Sequence, residues 1–460
     1  TITMLPPYNN AKYEGFRKKF SYLRYEKYDY AFHQGNLKIK YKFNLSEQYV
    51  FTPELSIPIR DFFDLKNIPS AAFENIIFHI GMVELVSYWK AACPPRIIIM
   101  PFKLSEAQMN WWKNLYFLGL GEFFYLNGIK AQIDNFVNIS CESDQELVKS
   151  DLFLDDSYIV PVGGGKDSVV TLELLKNARQ VSPMVINSRK ATTECIEISG
   201  FAPQDCIEIY RTIDPLLLEL NAQGFLNGHT PFSALLAFVS LLAGALARKR
   251  NIALSNEASA NETTVIGQNI NHQYSKSFAF EKDFREYVAA YISPAFNYFS
   301  FLRPLHEIQI AFLFSEFSKY FGAFKSCNAG SKNDIWCCNC AKCLFTFIIL
   351  SPFISLEKLV NIFGENLLDK PSLLPIFNQL TGVDDVKPFE CIGTVEEVNI
   401  ALSMSAEINK NQLPWLLKRF VDNPEYHKIC DERFSNWKRN FDDENYLSNT
   451  DYGIIKAALL

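Results

Sequence analysis

At 460 residues the chain is too long for one ordinary hydrophobic core, and 48% hydrophobic with 21% charged residues is the composition of a globular protein rather than a disordered one. Its 45 Lys and Arg against 51 Asp and Glu give a net charge of −6, which leaves no basic footprint for duplex nucleic acid, so no nucleic-acid partner is expected. The longest apolar stretch, Ala234 to Ala247, is short for a bilayer span and reads as a buried core helix; no membrane partner is expected.

The chain opens Thr1-Ile2-Thr3-Met4 and runs into Pro6-Pro7 without an apolar leader, which points to a cytoplasmic protein. Residues 1–150 read as an α+β domain. Alternation over Leu37-Lys38-Ile39-Lys40-Tyr41-Lys42-Phe43 predicts a strand with one wet face, and Arg96 to Met100 a second strand. Helices are expected from Ala72 to Lys90 and from Ser105 to Leu118, the latter carrying Trp111 and Trp112 as core or interface residues. The acidic run Asp151 to Asp156 closes this part.

From residue 157 the pattern alternates as in a parallel sheet, with strands at 158–162, Met184–Asn187, Cys206–Tyr210 and Ile252–Ser255. Helices at about 168–178, 214–221 and 231–249 lie between or beside them. The fold class is α/β, with a parallel-sheet core over 151–350 and a helical region over 351–460. Ligands of such sheets bind outside the carboxyl ends of the strands. The glycine loop after the first strand, Asn187-Ser188-Arg189, Arg211 and Ser255-Asn256-Glu257 would then face one crevice.

The glycine loop carries the strongest chemical signal. Gly163-Gly164-Gly165-Lys166-Asp167-Ser168 joins a strand to a helix, and glycines let backbone N–H groups approach an anion at the positive end of the helix. Ser168 is placed to cap that helix or to donate to a phosphate oxygen. The spacing is neither a Walker A loop nor G-x-G-x-x-G. From Gly164 to Ser168 it resembles the pyrophosphatase loop of enzymes that split ATP between its α and β phosphates, with Gly163 where most such families carry serine. The resemblance implies ATP as a ligand, a pyrophosphatase-loop core, and Gly163 to Ser168 holding the diphosphate half. Mg²⁺ would neutralise charge there, within reach of Asp167. Asn187, Ser188 and Arg189 follow the second strand, where related folds often bind the adenosine.

Cys337, Cys340 and Cys343 are spaced C-x2-C-x2-C, with Cys327 ten positions before the first. Four thiolates around a polar loop suit a closed, structural zinc site. No C-x3-C-P completion follows to favour an iron–sulfur cluster. Cys338 is a spare or an alternative ligand.

Six segments in this order, VGGGKDS, NGHTPFSALLAF, LSNEASANETTV, NHQYSKSFAFE, WCCNCAKC and KPFECIGTVEE, resemble the family of the peptidoglycan-precursor epimerase MurL. The likeness extends to FHIGMVELVSYWKAAC and WWKNLYFLGLGEFFYLNGI, so it covers most of the chain. It implies inversion of the terminal L-glutamate of UDP-MurNAc-L-Ala-L-Glu, with ATP consumed to AMP and diphosphate. His229, Glu257, His272, Lys276 and Cys391 are the candidates for moving the α-proton, and no spacing selects among them. The cysteines separately resemble those of 7-cyano-7-deazaguanine synthase, where four cysteines hold zinc. Its first spacing is one residue shorter, so Cys337 and Cys338 stay open as the second ligand. That likeness implies the rival reading, a ligase or amidotransferase passing an adenylate to ammonia. A non-enzymatic module is the other rival, with zinc as a fold staple and the glycine loop as a nucleotide sensor. The oligomeric state is not legible.

Overall fold

The structure, a computed structural model, describes residues 9–264, 270–428 and 432–460; the opening Thr1 to Pro7 and Val265 of LSNEASANETTV lie outside them. Among the described residues, eleven strands form one sheet. They are β1 (Leu23–His33), β2 (Asn36–Leu45), β3 (Tyr49–Phe51), β4 (Glu54–Pro58), β5 (Arg96–Ile99), β6 (Asn138–Cys141), β7 (Asp155–Pro161), β8 (Val181–Ile186), β9 (Ile207–Thr212), β10 (Lys249–Leu254) and β11 (Asn297–Ser300). Their spatial order is β11-β10-β7-β8-β9-β4-β2-β1-β5-β6, with β3 beside β2.

The five strands from β11 to β9 are parallel, as the alternation of apolar runs and helices predicts. The first four strands are antiparallel to one another where they pair. The β1–β2 hairpin turns through Gln34 (φ 48°) and Gly35 (φ 73°), the left-handed pair that a tight hairpin needs. A single antiparallel junction joins the two halves: β4 pairs with β9 through Glu54–Thr212, Leu55–Arg211 and Ser56–Tyr210. Residues on either side of position 150 thus share one continuous sheet.

Both faces of the parallel part are covered, so its strands bury residues alternately up and down. Along β7, Ile159 joins the core formed with helices Ser70–Glu84, Phe232–Ala247 and Phe278–Tyr291. Tyr158 and Val160 join a second core with Lys166–Leu175, Glu307–Ser315, Ala341–Leu350 and the C-terminal helices. The apolar stretch around Ala234–Ala247 is the buried helix expected of it, and no helix of the described residues is long and apolar enough to cross a membrane. The expected helix Ala72–Lys90 is two, Ser70–Glu84 and Val86–Trp89. Strand β11 was not foreseen, because four residues are too few to show a periodicity.

The helix Ser70–Glu84 ties the halves together. Tyr25 and Tyr41 donate their hydroxyls to its carbonyls at Phe78 (3.2 Å) and Ile77 (2.9 Å). At its end, buried Glu84 pairs with Arg211 of β9, 2.8 Å away. Removing one partner of a buried pair strands the other, whereas an exposed pair adds little. Glu84→Ala should therefore lower the urea-measured unfolding free energy by about 3–5 kcal/mol. Glu54→Ala, which breaks the exposed pair with Lys40, should cost under about 1 kcal/mol in the same assay.

Candidate active site

The chain runs β7, β8, β9 to one side of β7 and then places β10 on the other, so the sheet has its topological switch point between β7 and β10. Such a point opens a crevice at the carboxyl ends of the strands. A cleft of about 410 Å³ lies there. Gly163, Gly165, Asp167 and Ser168 line it after β7, Asn187, Arg189 and Thr192 after β8, and Ser255 and Asn256 after β10. Ser326, Asn328, Lys276, Lys342 and Cys391 complete the wall.

Gly164 is required by its backbone, and Gly165 sits in a tight place. Gly164 has φ +86°, and a Cβ there would sit 3.0 Å from the backbone nitrogen of Thr192. A Cβ on Gly165 would press on the Ser326 side chain at 3.3 Å. Gly165 occupies the cap position of the helix Lys166–Leu175 without any side-chain cap. Ser168 is not the cap expected of it: it lies inside the first turn and donates its hydroxyl to the Gly165 carbonyl at 3.3 Å. The first N–H groups of this helix thus have no side-chain acceptor, the arrangement that receives an anion.

Beside the loop, Asn187 (φ 52°) clips β8 to β9, accepting from Arg211 N at 2.8 Å and donating to its carbonyl at 3.0 Å. Arg189 donates to the carbonyls of Gly163 (3.1 Å) and Lys325 (3.5 Å), and Ser188 stands between the two on the exposed turn. Lys166 turns away from the cleft: it is buried, bonded to Asp167 at 2.5 Å and to Glu307. Burial pushes the Glu307 carboxyl up to about 8, against the pull of Lys166 and with the charge of Asp167 behind it. Burial also opposes ionisation of Asp167, yet Lys166 and Lys342 hold its carboxyl below the ordinary value. Oxygens of Asp167, Glu257 and Glu307 lie within 4.8 Å of one another. Glu257 accepts from the Ser259 hydroxyl at 2.7 Å. Arg303, fully buried, braces this wall by donating to the Glu257 carbonyl (3.0 Å), the Lys276 carbonyl (2.6 Å) and Glu281 (2.8 Å).

The structure brings His229, His272, Lys276 and Cys391 into one row. Lys276 Nζ is 3.1 Å from Cys391 Sγ, and the imidazole of His272 stands near the same thiol. His272 Nδ1 meets Glu122, and His229 stacks obliquely on His272 with ring centres 4.6 Å apart. Lys342 donates to the Cys391 carbonyl. Burial opposes ionisation of Cys391, but Lys276, His272 and Lys342 bring its thiol down to about 6. Against the cost of burial, Cys391 and Glu122 raise His272 to about 9. Burial and the neighbouring His272 push His229 down to about 4. Glu257 faces the carboxylate cluster instead.

Glu122, Glu307 and Lys342 were missed in the sequence. Each is a lone charge inside an apolar segment, as in GLGEFFYL and AKCLFTFIIL, and that misfit was the available signal.

On the far wall, Cys327, Cys337, Cys340 and Cys343 gather, with Sγ separations of 3.8 Å (327–340), 3.8 Å (337–343) and 3.5 Å (340–343). Four sulfurs bonded at about 2.3 Å to one tetrahedral ion would stand about 3.8 Å apart, so the donor set fits zinc. Cys338 points elsewhere, its Sγ bonded to the Phe363 carbonyl at 3.2 Å, which selects Cys337 for the cluster. This loop braces the glycine loop directly, since Lys325 N donates to the Gly164 carbonyl at 2.8 Å.

Fold and site together define an α/β protein with a charged ligand cleft at the switch point of a mostly parallel sheet. The MurL N-terminal domain model matches residues 15–301 and the MurL C-terminal domain model residues 323–432. The chain belongs to the MurL family. A Micromonospora protein named UDP-N-acetyl-alpha-D-muramoyl-L-alanyl-L-glutamate epimerase is 37% identical over 362 residues, 76% of this chain and 79% of its own. Proteins with the same name from Xanthomonas oryzae pv. oryzae (33%, 78% of this chain and 80% of that one) and Salinispora tropica (35%, 73% and 74%) are similar over comparable lengths. No solved structure matches the chain.

Gly164→Ala should cost about 1–3 kcal/mol, because alanine would be held in the left-handed region against the Thr192 backbone. Gly163→Ala, whose Cβ meets nothing within 4 Å, should leave the thermal midpoint nearly unchanged.

Proposed function

We propose that this chain inverts the terminal L-glutamate of UDP-MurNAc-L-Ala-L-Glu to D-glutamate, using ATP to adenylate a glutamate carboxylate and releasing AMP and diphosphate. Membership of the MurL family and the shared name of its relatives support the substrate. The observation that carries the chemistry is that the uncapped helix start at Gly163–Gly165 and the Cys391–Lys276 pair face the same cleft. The first suits an anionic phosphate chain, and the second suits proton transfer a short distance away.

ATP is not needed to drive the inversion, because the two diastereomers are nearly equal in energy. Its use is kinetic. The α-hydrogen beside an ionised carboxylate is a very weak acid, since its removal makes a dianion. As a mixed anhydride the same carbon loses its proton to give a singly charged enolate, which cationic groups stabilise. Water then cleaves the acyl adenylate and makes the cycle irreversible. In this reading the backbone at Gly163, Gly164 and Gly165 receives the diphosphate, with the Ser168 hydroxyl turning to it from the Gly165 carbonyl and Lys342 supplying positive charge. Asp167 would be the residue to hold Mg²⁺, which would supply neutralising charge to the phosphates. Asn187, Ser188 and Arg189 flank the adenosine end.

One incubation tests it: ATP, Mg²⁺ and UDP-MurNAc-L-Ala-L-Glu in deuterated water, followed by mass spectrometry and chiral analysis. D-Glutamate with deuterium at the α-carbon and equimolar AMP is expected. AMP without inversion would point to the ligase reading, and inversion without AMP would remove ATP from the mechanism.

We also infer that Cys327, Cys337, Cys340 and Cys343 hold one structural zinc. The protein as isolated should contain about one zinc per chain. Cys340→Ser should lose the metal and lower the thermal midpoint, while Cys338→Ser should keep it; equal zinc in both would refute the assignment.

A further inference from the structure

Five groups can be weighed as the base that takes the α-proton, and the geometry separates them. Lys276 is a cation donating to Cys391 and held protonated by it, so it has no lone pair to offer near neutral pH. His272 is bonded through Nδ1 to Glu122 and is held protonated by it and by the nearby Cys391. His229 packs behind His272, outside the residues that line the cleft. Glu257 accepts from Ser259 beside Asp167 and Glu307. Cys391 alone of the five combines a place on the cleft wall with cationic neighbours that favour its ionised form.

We propose, resting on the epimerase reading above, that the Cys391 thiolate is the base that removes the glutamate α-proton, and that Lys276 is the positioning residue that keeps it ionised and aimed. The charged groups facing the sulfur come from three elements. Lys276 lies on the turn Tyr274–Lys276, His272 on the segment before it, and Lys342 in the first turn of the helix Ala341–Leu350. Glu122 stands behind His272, and Glu257 and Asp167 stand behind Lys276. With the substrate carboxylate activated, the Cα–H bond breaks as an S–H bond forms on Cys391. The electron pair moves into the acyl carbonyl as an enolate. A water on the opposite face gives the carbon its new proton, and the proton on sulfur neutralises the resulting hydroxide through solvent. One proton leaves the carbon and one arrives, so no oxidant or reductant is required. An adjacent ammonium offsets the cost of burying a thiolate, and a base whose pKa lies near the working pH is suited to proton transfer.

The test compares the full chain with Cys391→Ala and Cys391→Ser in deuterated water with ATP, Mg²⁺ and UDP-MurNAc-L-Ala-L-Glu. Two quantities are read, α-deuterium incorporation and substrate-dependent exchange of pyrophosphate into ATP. In both variants α-deuterium should fall by about 10²–10⁴-fold, the range typical of a lost general base, while pyrophosphate exchange continues. Deuterium incorporation near the wild-type rate overturns the proposal, as does loss of both signals together. A substrate thioester on Cys391 in the intact-protein mass spectrum also overturns it, since the thiol would then be a nucleophile. Wild-type protein without pyrophosphate exchange would instead sink the adenylation reading beneath it, a separate failure. The pH profile of iodoacetamide alkylation at Cys391, read by peptide mass spectrometry, tests Lys276. Its midpoint should lie near 6 in the wild type and move toward the ordinary thiol value of about 8.5 in Lys276→Met. An unmoved midpoint would remove Lys276 from the positioning role.

Discussion

A buried or half-buried ammonium is costly unless a polar partner meets it, and that constraint organises the centre of this molecule. Lys166 is held by Asp167 and Glu307, Lys276 by the Cys391 thiol, and Lys342 by the Cys391 carbonyl. These partners come from distant parts of the chain, so satisfying three lysines fixes the glycine loop, the cysteine-rich helix and the segment around Cys391 in one arrangement. Arg303 extends the same logic inward, closing on the carbonyls of Glu257 and Lys276 and on Glu281. The charges that give the cleft its chemistry are also those that hold its walls together.

The same economy appears at the scale of the fold. Because β4 pairs with β9, the N-terminal strands extend the parallel sheet sideways instead of standing apart from it. Segment Gly121–Leu126 of the N-terminal part can then deliver Glu122 to His272, which stands near Cys391. A carboxylate from the first third of the chain thus orients an imidazole beside the cleft.

Much of this was legible in the sequence, and the reasons are physical. The strands near 158, 184, 207 and 252 announced themselves because a parallel strand covered on both faces is a short, continuous apolar run. The glycine loop was legible because Gly164 stands where a side chain would strike the backbone at Thr192. The four cysteines were legible by spacing, but only side-chain direction could set Cys338 apart from Cys337. Spacing was also silent on which way Lys166 turns, because the choice depends on Glu307 about 140 positions later. Selection of Cys391 from the five candidates lay beyond the sequence for the same reason. Its ionisation depends on Lys276, His272 and Lys342, which are neighbours in space only.

The sheet's outermost strands, β6 and β11, are four residues each, the shortest in the sheet apart from three-residue β3 and level with β5. Beside β11, Arg285 donates to the Asn297 side chain at 2.8 Å and to the Tyr298 carbonyl at 2.6 Å. A sheet this wide would be a template for intermolecular strand addition if its rims were long and bare. Short rims, one with a carbonyl already occupied by a guanidinium, offer another chain little to pair with. The molecule can therefore carry an eleven-stranded sheet without inviting its own fibrillation.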